Sequence, residues 1–369
     1  MLAISKAKAY LCDVPVASPR TDAMQAFLKQ ETVFVEIETA DGAAGLGYSY
    51  TIGTGGSAIL ELLEGYLLEQ VIGEDASRPE ALWQKLRHST QATMIGAITT
   101  LALAAIDTAV WDLRAHVLGT PLWQLAGGAQ EQVPLYDTEG GWLHLSADEL
   151  VTNAVAAMTC GFRGVKVKVG KPSAAEDLAR LTAVREAIGP DAALMVDANQ
   201  AFTRDEAVRR ARLLEPLDLT WLEEPLPADD VRGHALLAAA TSIPLAVGES
   251  LYSIGQFREY LAVGAASIVQ PDVARIGGIT PWLKVAHLAE SFDVNVAPHF
   301  LMELHLSLSA AVPNGRWVEW IPQLSALTAK PVETVDGQAI APSSAGLGIA
   351  WDQDAIDEYR VNRAARPAP

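Results

Sequence analysis

The period of the apolar positions changes along this chain. From about Val133 onward, eight short runs read as strands: VPLYDT, GVKVKV, ALMVDAN, TWLEEP, PLAVGE, SIVQPD, VNVAPH and RWVEW. The segments between them, among them SADELVTNAVAAMTCG, AAEDLARLTAVREAIG, RDEAVRRARLLEPL and ITPWLKVAHLAESF, have helical period. Strand then helix, repeated, predicts a closed parallel barrel, and we place it over residues 129–320. Residues 1–128 show no such alternation. Strand-like runs at 2–10 and 32–39 are followed by the turn DGAAGLG, with a loop expected over 16–30. Helical patterns then cover 57–71, 79–89 and 99–119, the last stopped by Gly119 and Pro121. This portion is expected to be a separate α+β domain. Residues 321–369, rich in Pro, Ser and Ala, carry a strand signal near GLGIAW and are expected to pack back on it. The fold class is thus α/β, a TIM-type barrel with an attached α+β domain.

Each barrel run ends on a polar side chain. Lys166 and Lys168 are followed by Asp197, Glu223, Glu249, Asp272, His299 and Glu319, with successive steps from Lys168 onward of 20 to 29 residues. Groups at the C-terminal ends of barrel strands point into one mouth, where such folds do their chemistry. Residues i and i+2 of a strand share a face, so Lys166 and Lys168 face inward while Val165, Val167 and Val169 face out. The same parity joins Asp197 with Asn199 and Gln270 with Asp272. Buried ammonium groups need partners, and the carboxylates of the following strands provide them. An inward Lys–Glu network can also be purely structural; the full set of strand-end groups argues for a site.

Asp197, Glu223 and Glu249, converging from adjacent strands, repel one another without a cation among them. All-oxygen ligation selects a hard divalent ion, and Mg²⁺ is the expected cofactor. The first barrel strand ends in YDT rather than a paired-His motif, which argues against a zinc barrel. Glu224 has the opposite parity and is expected to pair outside the metal shell. Asp272 is placed to hold the far nitrogen of His299, fixing its tautomer and raising its basicity. His305, within a helical pattern, reads as a core residue. His144 reads equally as a substrate contact or a loop residue.

Charge narrows the partners. A formal net charge of −18 over 369 residues disfavours nucleic acid and anionic membranes. No apolar run approaches the roughly 20 residues of a membrane helix. The opening MLAISKAKAYLCDVPV reads as a strand rather than a leader, so a cytoplasmic protein is expected. The two cysteines, Cys12 and Cys160, have no paired spacing and are expected to be buried or partly buried filler.

The Lys-x-Lys, Asp, Glu, Glu, Asp, His, Glu order, in its EEP, GE and QPD…GG contexts, resembles the mandelate racemase branch of the enolase superfamily across essentially the whole chain. YDTEGGWLH, LMVDANQ, VQPDVARIGGITPWLK and APHFLMELHLSLSAA are most similar to L-talarate/galactarate dehydratases within it. The resemblance implies a (β/α)7β barrel under a capping domain, with Mg²⁺ held by Asp197, Glu223 and Glu249. It implies Lys168 and the His299–Asp272 dyad as bases, and Lys166 and Glu319 at the substrate carboxylate with Asn199 close by. Lys166 is expected to depress the Lys168 pKa, and Glu319 to act as a protonated donor. The implied reaction removes the proton α to the carboxylate of a small sugar acid and expels a β-hydroxyl, leaving a 2-keto-3-deoxy sugar acid. Racemisation or epimerisation of a 2-hydroxy acid, and a non-catalytic sugar-acid-binding barrel, stay open. Capping loops choose the substrate in this family, and Arg20, Lys29, Tyr48 and Tyr50 are candidates for its distal end. A symmetric homo-oligomer is also implied.

Overall fold

The structure, a computed structural model, describes residues 2–93 and 96–361. Met1 and residues 362–369, the end of the expected C-terminal segment, lie outside them. Three antiparallel strands open the chain: β1 (Ile4–Thr21), β2 (Ala26–Thr39) and β3 (Ala44–Thr51), in that order. The loop expected over 16–30 is instead the far end of the β1–β2 hairpin, where Arg20 pairs with Phe27 and Thr21 with Ala26. Its register slips between Pro15 and Arg20, a stretch whose two prolines cannot donate ladder hydrogen bonds. Only residues 22–25 turn. There Asp22 Oδ1 accepts from the Met24 and Gln25 amides at 2.7 and 2.8 Å, the local bonding that makes Asp a turn residue.

The helix Ala97–Val117 is apolar around most of its circumference because it is covered on both sides. One side packs on β3, the other on the helix Ile279–Glu290 of the barrel. Asp107 joins the two parts, its carboxylate accepting from Thr280 N at 2.8 Å and Thr280 Oγ1 at 2.7 Å. Gly278, at φ +120°, permits this approach, since a Cβ there would lie 2.4 Å from Asp107 Oδ2. Asp107→Ala strands buried donors at a helix N-terminus and is expected to lower unfolding stability by about 2 kcal/mol. Chemical denaturation of the variant beside the wild type checks this.

The eight barrel strands are β4 (Gln132–Asp137), β5 (Gly164–Lys168), β6 (Ala193–Asp197), β7 (Trp221–Glu223), β8 (Leu245–Val247), β9 (Ile268–Val269), β10 (Asn295–Val296) and β11 (Val318–Trp320). They follow one another in parallel from β4 to β10, and β11 returns to pair with β4. A bridge between Val296 and Gly315, just before β11, completes the ring. A helix lies between each consecutive pair of strands, which is the (β/α)7β arrangement. Val165, Val167 and Val169 face outward onto Leu181 and Val184 of the helix Ala174–Ile188, so the lysines of β5 point inward.

The C-terminal segment does more than expected. Before returning it forms β12 (Thr334–Val335) and β13 (Gln338–Ile340), and β13 pairs antiparallel with the start of β4. Trp351 then packs edge-on against Phe34 and Tyr48, and Arg360 bridges to Cys12. Cys12 is buried as expected, whereas Cys160 is exposed at the end of the helix Ala147–Thr159; both are free thiols. No helix of the described residues is long and apolar enough to cross a membrane.

Candidate active site

Strand ends place the triad. Asp197 ends β6, Glu223 ends β7, and Glu249 follows β8 by way of Gly248. Gly248 has φ +154°, and a Cβ there would sit 2.6 Å from Gln270 backbone, so only glycine lets β8 turn this closely against β9. One carboxylate oxygen from each of the three lies within 4.8 Å of the others, and all three residues are buried. Glu249 Oε2 is buried and accepts no hydrogen bond, its nearest basic neighbour being His299 Nε2 at 3.3 Å. Three converging carboxylates with an unsatisfied oxygen fit a hard divalent cation.

Two ammonium groups stand in this acidic nest. Lys166 Nζ lies 3.0 Å from Glu223 Oε1, 2.8 Å from Glu319 Oε1 and 3.7 Å from Asp197 Oδ2. Lys168 Nζ lies 2.5 Å from Asp197 Oδ2 and 5.6 Å from the Trp142 ring centroid. Burial acts to lower both lysine pKa values, but the facing carboxylates outweigh it and both end above the ordinary value. The expected depression of Lys168 is therefore reversed: Asp197 in contact counts for more than Lys166 nearby. Glu319 also departs from expectation. Burial raises its pKa, yet Lys166 overrides this and holds it ionised, with Thr138 Oγ1 at 2.8 Å and Phe300 N at 2.7 Å donating to it.

His299 follows β10, and its Nδ1 lies 2.9 Å from Asp272 Oδ2. Asp272 also accepts from Tyr50 Oη at 2.7 Å and from the amides of Ala274 and Arg275. Burial lowers the His299 pKa, while Glu249, 3.3 Å from Nε2, and Asp272 raise it; the net shift is upward. Phe300 and Leu301 adopt left-handed backbone at φ +60° and +37°, strain of a kind concentrated at functional sites. His305 stays structural, as expected, with Nδ1 on Phe300 O and Nε2 accepting from Val273 N. Glu224 turns away from the triad and accepts from Gln200 and Ser250.

A cavity of about 410 Å³ opens above these groups. Lys168, Asn199, Glu249, His299 and Glu319 line it from the barrel, and the hairpin turn and the end of β3 close it from above. The profile of the mandelate racemase / muconate lactonizing enzyme N-terminal domain matches residues 6–127, and the enolase C-terminal domain-like profile matches residues 149–355. The chain belongs to the mandelate racemase branch of the enolase superfamily.

Within that branch it is similar to the L-talarate/galactarate dehydratase of Salmonella typhimurium, 38% identical over 94% of this chain and 89% of that one. The 3,6-anhydro-alpha-L-galactonate cycloisomerase of Streptomyces coelicolor is 36% identical over 97% and 99% of the two chains. The crystal structure of a Polaromonas L-talarate dehydratase complexed with Mg and L-glucarate superposes with a TM-score of 0.93, at 39% identity and 98% coverage of both chains.

In this enolase-superfamily site several expected contacts lie elsewhere. Arg20 is buried with its Nε on both oxygens of Glu139. Lys29 is taken by Asp13 and Glu31. Tyr48, two residues deeper along β3 than Tyr50, is packed against Phe34 and Trp351. His144 is exposed and bonds to Thr21 Oγ1, tying the loop after β4 to the end of β1. None of these four lines the cavity, whereas Tyr50 does. Lys166 and Asp272 lie beneath its wall. Arg275 was missed: it lines the cavity with Nη1 2.9 Å from Glu249 O and 3.4 Å from Glu249 Oε1. Its place in the loop three residues after Asp272 puts it beyond the reach of strand parity.

Proposed function

We propose that this protein is an acid-sugar dehydratase that abstracts the proton α to a carboxylate with Mg²⁺ held by Asp197, Glu223 and Glu249. One observation carries the reading: Lys168 and His299, from the second and seventh barrel strands, line one cavity beside that triad. Similarity to dehydratases at up to 39% identity over nearly the full chain supports it. When bound, the cation would offset the second negative charge that builds on the carboxylate as its α-proton leaves. Lys168 or His299 takes that proton, according to configuration. Asn199 and Glu319 line the position where the substrate's polar groups would sit, and Lys166 beneath adds positive charge. The remaining acid then protonates the departing β-hydroxyl, so that one water is lost and the resulting enol tautomerises to a 2-keto-3-deoxy acid.

Two facing bases also suffice to racemise or epimerise a 2-hydroxy acid, and this is the second reading. Incubation with a panel of sugar acids and Mg²⁺ in deuterium oxide separates them. Keto-deoxy product supports dehydration; deuterium at the α-carbon without water loss supports epimerisation. Absence of both for every acid would reduce the protein to a binder. The proposed residue assignment includes the dyad. Asp272→Asn removes an anion that raises the His299 pKa, so the acid limb of the kcat/KM profile should move to lower pH. With His299 no longer oriented, kcat should fall about 10- to 100-fold. A pH profile unchanged in shape would remove Asp272 from this role. A symmetric homo-oligomer belongs to the same proposal and is checked by light scattering.

A further inference from the structure

The cavity's two ends differ in lining: at the barrel end cations stand among the carboxylates Glu249 and Glu319, and the cap end lacks them. At the barrel end stand Lys168, Arg275 and His299, each already facing a carboxylate of the triad or the dyad. The cap end is formed by the hairpin turn, with Asp22, Met24, Gln25 and Phe27, by Thr51, Ile52 and Thr54 after β3, and by Leu101. Among the described residues lining that end there is no cation, and Asp22 is its single carboxylate; the cation whose field reaches Asp22 is Lys168, across the cavity. The two nearby cations that sequence offered, Arg20 and Lys29, are held by Glu139, Asp13 and Glu31.

Asp22 is half-buried and held in one orientation. Its Oδ1 is fixed by the Met24 and Gln25 amides, and Asp22 N donates to Gln25 O at 3.1 Å, closing the turn. Among the described residues its Oδ2 has no hydrogen-bond partner. An oriented, partly desolvated carboxylate accepts a hydrogen bond from a hydroxyl and repels a second carboxylate.

From this geometry we infer that the protein selects sugar monoacids, with a hydroxyl-bearing distal end, over the corresponding diacids, and that Asp22 is the specificity-determining residue. The inference rests on the acid-sugar reading and narrows it away from diacids such as galactarate. A diacid would bring a second charge to an end that offers it the neutral donors Gln25 and Thr54 but no cation, beside a carboxylate of the same sign. A monoacid would present a neutral donor to Asp22 Oδ2 and apolar carbon to Phe27 and Leu101. Specificity here comes from a repulsive element as well as an attractive one.

Matched pairs, galactonate with galactarate and gluconate with glucarate, test this with the full chain and Mg²⁺, read by keto-deoxy product, by α-deuterium exchange and by calorimetric binding. For the pair whose stereochemistry the site accepts, the monoacid should be favoured about tenfold or more in kcat/KM. Asp22→Asn keeps the Oδ1 acceptor of the turn and should shift the monoacid-to-diacid ratio about tenfold toward the diacid. A structural role alone would weaken both acids equally. Diacids dehydrated as well as or better than monoacids would overturn the inference while leaving the dehydratase reading in place, as would an unchanged ratio in the Asp22 variant. Monoacid-selective binding or exchange without dehydration would uphold the inference and remove the dehydratase reading. Failure to bind either kind of acid would end both.

Discussion

Lys168→Ala is expected to lower kcat by about 10²- to 10⁴-fold for acids whose α-proton faces β5, the range lost with a general base. Acids of the other configuration, served by His299, should keep exchanging their α-proton. The accompanying change in metal affinity decides whether Lys168 is a base or a support for the triad. Its ammonium lies 2.5 Å from Asp197 Oδ2, so in the metal-free protein it occupies the charge that a cation would use. Removing it takes away a competitor, and Mg²⁺ binding should become equal or tighter. Weakened Mg²⁺ binding in calorimetric titration, with exchange of both configurations lost together, would show Lys168 to be a scaffold for Asp197. The same contact explains why its pKa is raised rather than lowered here: with Asp197 engaged elsewhere, burial and Lys166 remain to push it down.

Much of the site was legible because strand parity and strand-end position are local properties of sequence. The KVKV alternation alone put both lysines of β5 on the inner face. Asp197, Glu223 and Glu249 each follow a short apolar run, and a closed barrel has one mouth for such groups to enter. What escaped lies in contacts between distant segments. Arg20 looked available for a ligand because nothing near it in the chain anticipates Glu139, 119 residues away, as its partner. Tyr48 and Tyr50 share a face of β3, yet two residues along the strand separate a ring in the core from one whose hydroxyl reaches Asp272. The 16–30 segment is the far end of a hairpin rather than a loop, and the ladder absorbs Pro19 within a register slip that local sequence does not announce. The signs of two pKa shifts were also missed, since they depend on which carboxylate touches which ammonium, and spacing does not carry that.

Mg²⁺ affinity should rise steeply with pH, and chelation should abolish turnover. Four carboxylates, Asp197, Glu223, Glu249 and Glu319, share this mouth with two ammonium groups. Lys168 serves Asp197, while Lys166 is shared between Glu319 and Glu223, so Glu223 has only part of one counter-charge. Burial first, and then Asp197, push Glu223 up to about 8 against the pull of Lys166, so a proton competes with the metal for this carboxylate near neutral pH. Ligation needs the carboxylate, so each ion bound below that pH displaces close to one proton, and affinity should climb by about tenfold per pH unit toward 8 before levelling. Titration calorimetry at pH 6, 7 and 8, in buffers of different ionisation enthalpy, measures both the affinity and the proton released. Glu223→Gln should lose at least about 100-fold in affinity, more than an outer-shell change costs. It should also lose the pH dependence, because the amide has no proton to give up. A pH-independent wild-type affinity would mean that Glu223 is already ionised, with Lys166 as its counter-charge. Retention of the slope in the Gln variant would move the titrating group to another carboxylate of the mouth.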